Sequence, residues 1–81
     1  MLHARKDYNR IQDPLNAKDK GIPKDEPVFL LRAQDPLFVP MLYMYAHLAS
    51  MLGCDSRMVQ MVIAHAEFAK LWPVRKAKPD V

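Results

Sequence analysis

The order of hydrophobic and polar residues predicts a helix in the middle of the chain. Residues 36–54 contain no charged side chain, and Pro40 stands near the start of this run, where the first turn of a helix accepts proline. The run therefore predicts a helix from about 40 to 52. Gly53 follows it and suits the left-handed conformation that ends many helices. A membrane span is not expected, because the proline and several polar side chains interrupt the apolar run.

A second, amphipathic helix is predicted over residues 56–72. Asp55 is a good N-cap, and Pro73 cannot continue a helix. A narrow polar stripe is formed by Arg57, Gln60, Ala64 and Glu67. The broad apolar face consists of Met58, Met61, Val62, His65, Phe68, Ala69 and Trp72.

Only Cys54 and Asp55 separate Gly53 from the second helix, so the two helices are predicted to form an antiparallel hairpin. The first helix is apolar on nearly every side, and a two-helix hairpin cannot cover such a surface. We therefore predict that a methionine-rich surface either packs in a homo-oligomer or grips a foreign helix. The predicted interface residues are Met41, Met44, Tyr45, Leu48, Met58 and Met61.

The N-terminal third lacks a helical pattern. The apolar segment 27–33 has the length of a buried strand, but the chain offers no second convincing strand, so the segment should stay unpaired or pair with a copy of itself. An exposed turn is expected over Asn16–Gly21, and a frayed terminus from Val74 onward. The fold class is therefore mainly α, in one small domain. It comprises an extended, loop-rich basic arm at 1–26, an extended segment at 27–35, a helical hairpin at 36–73 and a tail at 74–81.

The positive charge lies in the N-terminal arm. The chain has 81 residues, and its 12 Lys and Arg exceed its 9 Asp and Glu by three; residues 1–24 alone account for this excess. A chain of this length buries only a small core, so partner subunits are expected. The single cysteine, Cys54, excludes an internal disulfide, and no Cys and His spacing suggests a zinc site. The polar first residues lack the apolar segment of a secretory signal, so a cytoplasmic protein is expected.

The arm is rich in groups that recognise phosphorylated ligands. Arginine forks bind phosphate oxygens, a tyrosine ring can stack on a base, and Asn or Gln amides can read a base edge. Alternatively, Tyr8 and Ile11 hold the arm on the helices, while Arg10 and Asp13 satisfy turn carbonyls and amides. Arg32 either pairs with a nearby acidic residue or lines the anion pocket. The predicted ligand-binding residues are Arg5, Lys6, Tyr8, Asn9, Arg10, Gln12, Asp13 and Arg32.

No catalytic or metal-binding pattern stands out in the sequence. His47 and His65 have no Cys, Asp or second His at ligand spacing, so we expect hydrogen-bonded core histidines. Cys54 has no evident base beside it. No P-loop, paired-carboxylate motif or nucleophile elbow occurs. We therefore expect a non-enzymatic protein without a cofactor or metal.

Two blocks, Tyr8–Pro14 (YNRIQDP) and Ile22–Asp35 (IPKDEPVFLLRAQD), together with Met58–Val59 and with His65–Glu67 near Trp72, resemble a family of small uncharacterised proteins of bacteriophages and prophages. The resemblance transfers no established activity. Small phage proteins often act by capture, so it implies an anti-defence sponge that holds a nucleotide signal, such as a cyclic nucleotide, between subunits. The alternative that it leaves open is an inhibitor, adaptor or minor virion component that docks onto a host or phage protein through its apolar helix face. Direct nucleic-acid binding is not expected, because no helix is basic.

Overall fold

The computed structural model describes residues 1–15 and 21–79, and the protein is mainly α-helical with a small two-stranded parallel sheet. Two compact units divide the chain, the first over Met1–Leu30 and the second from Leu31 onward. The first unit contains strand β1 (Leu2–His3), a 3₁₀ turn (Lys6–Tyr8) and strand β2 (Pro27–Val28). The second contains helices α1 (Phe38–Met51) and α2 (Ser56–Ala69).

The sheet of the first unit pairs the two ends of that unit. Leu2 lies opposite Pro27 and His3 opposite Val28, in parallel, and the Leu2 amide donates to the Glu26 carbonyl over 2.9 Å. The expectation that the apolar segment near 27–33 stays unpaired or meets only a copy of itself is therefore wrong. A strand of two residues shows no alternation of polar and apolar side chains, so pattern analysis missed β1.

Close approach of the backbone explains Gly21, which lies just after the undescribed residues. A Cβ atom on Gly21 would lie 2.6 Å from the Cβ of Leu15 and 2.7 Å from its carbonyl carbon, so only glycine fits without a shift. The expected exposed turn over Asn16–Gly21 lies outside the described residues, apart from Gly21, which is half-buried.

Helix α1 begins two residues earlier than predicted. The Asp35 carboxylate accepts from the Leu37 amide over 2.8 Å, and the Phe38 amide donates to the Asp35 carbonyl, so this aspartate organises the turn that leads into the helix. Pro40 lies in the first turn, as predicted. After the helix, Gly53 has a φ of 85°, which confirms the predicted left-handed residue.

Helix α2 begins where predicted and ends earlier. The Asp55 side chain accepts from the Arg57 amide over 2.8 Å, which confirms the N-cap. The α-helix ends at Ala69, whereas the prediction extended to 72. The Leu71 and Trp72 amides donate to carbonyls three residues earlier, so the last turn is tighter than an α-helix.

Small residues form the core of the second unit. The buried residues of the two helices are Ala46, Ala49, Val62, Ala66 and Ala69, and Ala66 has no exposed surface. The predicted apolar face of the second helix is thus only partly buried. Met61, His65, Phe68 and Trp72 are exposed, so the expectation of a buried, hydrogen-bonded His65 is wrong.

The beginning of the tail is held in place, contrary to the expected frayed terminus. The Lys76 amide donates to the Gln34 carbonyl over 2.9 Å, and the Arg75 guanidinium donates to the carbonyls of Ala33 and Ala69. These bonds attach residues 75 and 76 to the segment that precedes α1 and to the end of α2.

Candidate functional site

Arg5 of the predicted ligand-binding arm is engaged within the first unit. Its guanidinium forms a two-point hydrogen bond with the Asp7 carboxylate, over 3.0 and 2.8 Å, and lies 4.9 Å from the centre of the Tyr8 ring. The arginine lowers the pKa of Asp7 through this hydrogen bond. The Tyr8 side chain is buried, 8% exposed, and the ring of His3 meets its edge. Tyr8 therefore has a core position, and stacking on a base would require it to leave that position.

Three further arm residues satisfy backbone groups of their own unit. The Arg10 guanidinium donates to the Asp7 carbonyl over 2.9 Å, and the Gln12 amide donates to the Asn9 carbonyl. Asp13 accepts from the amides of Leu15 and Ile22, and these two bonds lower the pKa of Asp13. The geometry matches the alternative in which Arg10 and Asp13 satisfy turn groups.

Three predicted ligand-binding residues are exposed, and their side chains form no hydrogen bond or ion pair within the described ranges: Lys6, Asn9 and Arg32. Arg32 belongs to the second unit, while the other seven belong to the first. It borders a shallow depression with Ala33, Gln34 and Trp72. Because Arg32 is exposed, its charge needs no buried partner.

A continuous apolar stripe runs along the outside of α1. Its members recur at spacings of three and four residues, and each is about half exposed or more, up to 72% for Met51 and 83% for Leu52. We call the set Met41, Met44, Tyr45, Leu48, Met51 and Leu52 the α1 stripe. Four of the six predicted interface residues belong to it. None of its members carries a charge.

A second apolar surface, the α2 groove, lies where α2 meets Leu42 of α1. It is a depression of about 570 Å³ lined by Leu42, Met61, Val62, Ala64, His65 and Phe68. Next to it lies a smaller depression of about 160 Å³. His65 and Phe68 line this depression too, together with Phe38 and Trp72. The predicted interface residue Met61 lines the groove, whereas Met58 is half-buried.

Aromatic rings frame the α2 groove around His65. The ring centres of Phe38 and Phe68 lie 6.1 and 6.0 Å from that of His65. Phe68 is 69% exposed, which is unusual for so large an apolar side chain. The sequence predicted an apolar face that contains Phe68 and Trp72, but only Met58 and Met61 of this face were predicted as interface residues. The excess of apolar area over a two-helix contact was the available signal.

The opposite side of the helix pair is polar. The Tyr43 hydroxyl donates to Glu67, the Lys70 ammonium lies 3.3 Å from the same carboxylate, and that ammonium lies 5.0 Å from the centre of the Tyr43 ring. Hydrogen bonds from Tyr43 and Lys70 lower the pKa of Glu67, and the same cluster raises the pKa of Lys70. His47 lies on this side, in a shallow depression with Tyr43. Sequence analysis missed this cluster because Tyr43 lies 24 residues from Glu67.

Within residues 1–15 and 21–79, no group of three His, Cys, Asp or Glu side chains could hold a metal ion. Helices α1 and α2, the two α-helices of the described ranges, lack the length and apolarity that crossing a bilayer requires. Cys54 is a half-buried free thiol in the turn between them.

Comparisons with protein-family models, with curated proteins and with solved structures each found no match.

Proposed function

We propose that the protein is a non-enzymatic interaction module that docks onto a partner protein through the α2 groove. The observation that carries the proposal is the exposure of Phe68 and Met61 in an apolar depression framed by aromatic rings. Exposed apolar side chains that cluster in one place mark interaction sites on proteins more often than side chains that are exposed singly. The predicted antiparallel hairpin and the relationship to phage proteins are parts of this proposal.

The groove, of about 570 Å³, has room for a large apolar side chain of the partner. Its lining combines flexible methionine and leucine side chains with rigid aromatic ones, which is the composition of surfaces that receive an apolar anchor. A partner that inserts one large apolar side chain beside Phe68 would also cover His65. A phage origin would make a host protein the natural target.

The test is site-specific photocrosslinking in a bacterial extract. A benzophenone amino acid at position 68 should capture a defined partner, whereas the same group at Gln60, on the polar side of α2, should not. The partner is then purified and titrated against wild type, Phe68→Glu and Gln60→Glu. We expect the Phe68 variant to bind at least ~10-fold more weakly, because the loss of a hot-spot side chain costs about 2 kcal/mol or more.

Two results would contradict docking through the groove: equal capture from both positions, or equal affinity of both glutamate variants for the purified partner. Trp72 provides a second readout, because it is the only tryptophan of the chain and lies in the adjoining depression. Its emission should shift to shorter wavelength when the partner covers the groove and should stay unchanged in Phe68→Glu.

A second hypothesis is that the protein captures a phosphorylated nucleotide, at a site with fewer residues than the sequence predicted. The exposed Lys6 and Asn9 support it, and so does Arg10, which is exposed although its guanidinium donates to the Asp7 carbonyl. The hydrogen bonds of Arg5 and Asp13 and the burial of Tyr8 weigh against the larger set. Isothermal titration with cyclic di- and trinucleotides and cyclic ADP-ribose isomers tests it. Absence of binding at micromolar concentrations would refute the hypothesis.

A further inference from the structure

The α1 stripe is a large apolar surface that the packing of its own unit leaves exposed. The α1 residues that are buried are alanines, while five large apolar side chains of the same helix, and Leu52 directly after it, are exposed. A folded monomer would leave these side chains in water, and burying a large apolar side chain stabilises by about 1.5–3 kcal/mol. The stripe therefore needs an occupant.

The composition of the stripe favours a copy of the same helix. Its spacing of 41, 44, 48 and 51 follows the alternation of three and four residues that forms the seam between packed helices. A two-fold contact places the same patch on both subunits, so it must be complementary to itself. A surface without charge meets this condition, because no like charges face each other across the axis.

The available area also suits a dimer. The six side chains of the stripe offer several hundred Å², which approaches the ~800 Å² that each partner buries in a standard interface. The stripe begins at Met41, in the first turn of α1, and ends at Leu52, directly after the helix, so the contact runs along most of α1.

We infer that the α1 stripe packs against the α1 stripe of a second copy of this chain, with Leu48 close to the two-fold axis. The two α1 helices of the dimer then enclose an apolar layer that neither copy encloses alone. The α2 groove contains no residue of the stripe and is left open to the partner proposed above.

The mass in solution tests the dimer, with charges introduced at Leu48. Light scattering on wild type should give at least twice the 9.4 kDa of one chain. Leu48→Glu and Leu48→Lys should each raise the dissociation constant by about 100-fold or more and give the mass of a single chain, because each buries an unpaired charge. An equimolar mixture of the two variants should regain the dimer, since opposite charges then meet across the axis.

The matched control is His47→Glu, which places the same charge one residue away on the polar side of α1 and should leave the dimer intact. Met44→Glu is a second variant of the stripe, and circular dichroism verifies that each variant remains helical. The inference is overturned if wild type has the mass of one chain at a protein concentration of about 100 micromolar, at which even a weak dimer should form. It is equally overturned if Leu48→Glu stays dimeric or if the mixture stays monomeric. Phe68→Glu should not change the mass, so the dimer and the docking proposal can fail separately.

Discussion

The close contact between the two helices at Ala66 yields the sharpest prediction on stability. Ala66 has no exposed surface, and the buried residues of α1 are also alanines, so the helices approach each other at small side chains. Ala66→Leu adds three carbon atoms at this contact and forces the helices apart. Overpacking of this kind costs about 1–3 kcal/mol. Ala64→Leu, two residues earlier, makes the same exchange at an exposed position that lines the open α2 groove, and it should change stability by about 0.5 kcal/mol or less.

Thermal unfolding of the two leucine variants, followed by circular dichroism, measures the difference. For a chain of this size a loss of 1 kcal/mol lowers Tm by roughly 4–8 °C, so Ala66→Leu should melt at least about 4 °C below wild type and clearly below Ala64→Leu. All samples need the same protein concentration, because association contributes to apparent stability. Equal Tm values for the two variants would refute the idea that small residues set the distance between the helices.

Three further predictions concern local features of the backbone. Gly53→Ala should destabilise the protein by about 1 kcal/mol in urea unfolding, because its φ is positive, and Gly53→Asn should lose less. Asp55→Ala should lower Tm by removing the N-cap of α2, whereas Asp55→Asn should largely preserve it. Folding lowers the pKa of Asp13, so its contribution to stability is present above pH 4, roughly its unfolded pKa, and is lost as pH falls through the lower folded value. The NMR shift of the Ile22 amide should follow that titration and be insensitive to pH in Asp13→Asn.

The sequence predicted those parts of the fold that local chemistry determines. Gly53, Asp55 and Pro40 mark helix ends through their own conformational preferences, so the helices were predicted to within about three residues. Strand β1 has no such marker, because pairing of two residues depends on a segment some 25 positions away in the chain. A tertiary contact of this kind leaves no periodic trace in the sequence.

The buried core was predicted less well, because the hydrophobicity of a side chain does not determine whether it faces the neighbouring helix. Phe68 and Met61 are more apolar than Ala66, yet Ala66 is buried and the larger side chains are exposed. Helices that approach at alanines leave no room for larger residues in the same contact. The candidate ligand site was difficult to predict for a related reason. The side chains of Arg5 and Asp13 could recognise a ligand, but they form hydrogen bonds with groups of their own unit instead.

The two functional hypotheses predict different effects of salt on binding affinity. The exposed surfaces of the helices are apolar, whereas the nucleotide site would depend on charged side chains of the first unit. The α1 stripe carries no charge, and the α2 groove is lined by no Asp, Glu, Lys or Arg, so docking there depends on apolar area and should barely weaken as ionic strength rises. Nucleotide capture by Lys6 and Arg10 depends on exposed charges, which salt screens over about 8–10 Å. A partner whose affinity is the same at low and at high salt therefore binds through the helices, whereas one released by salt binds through the first unit.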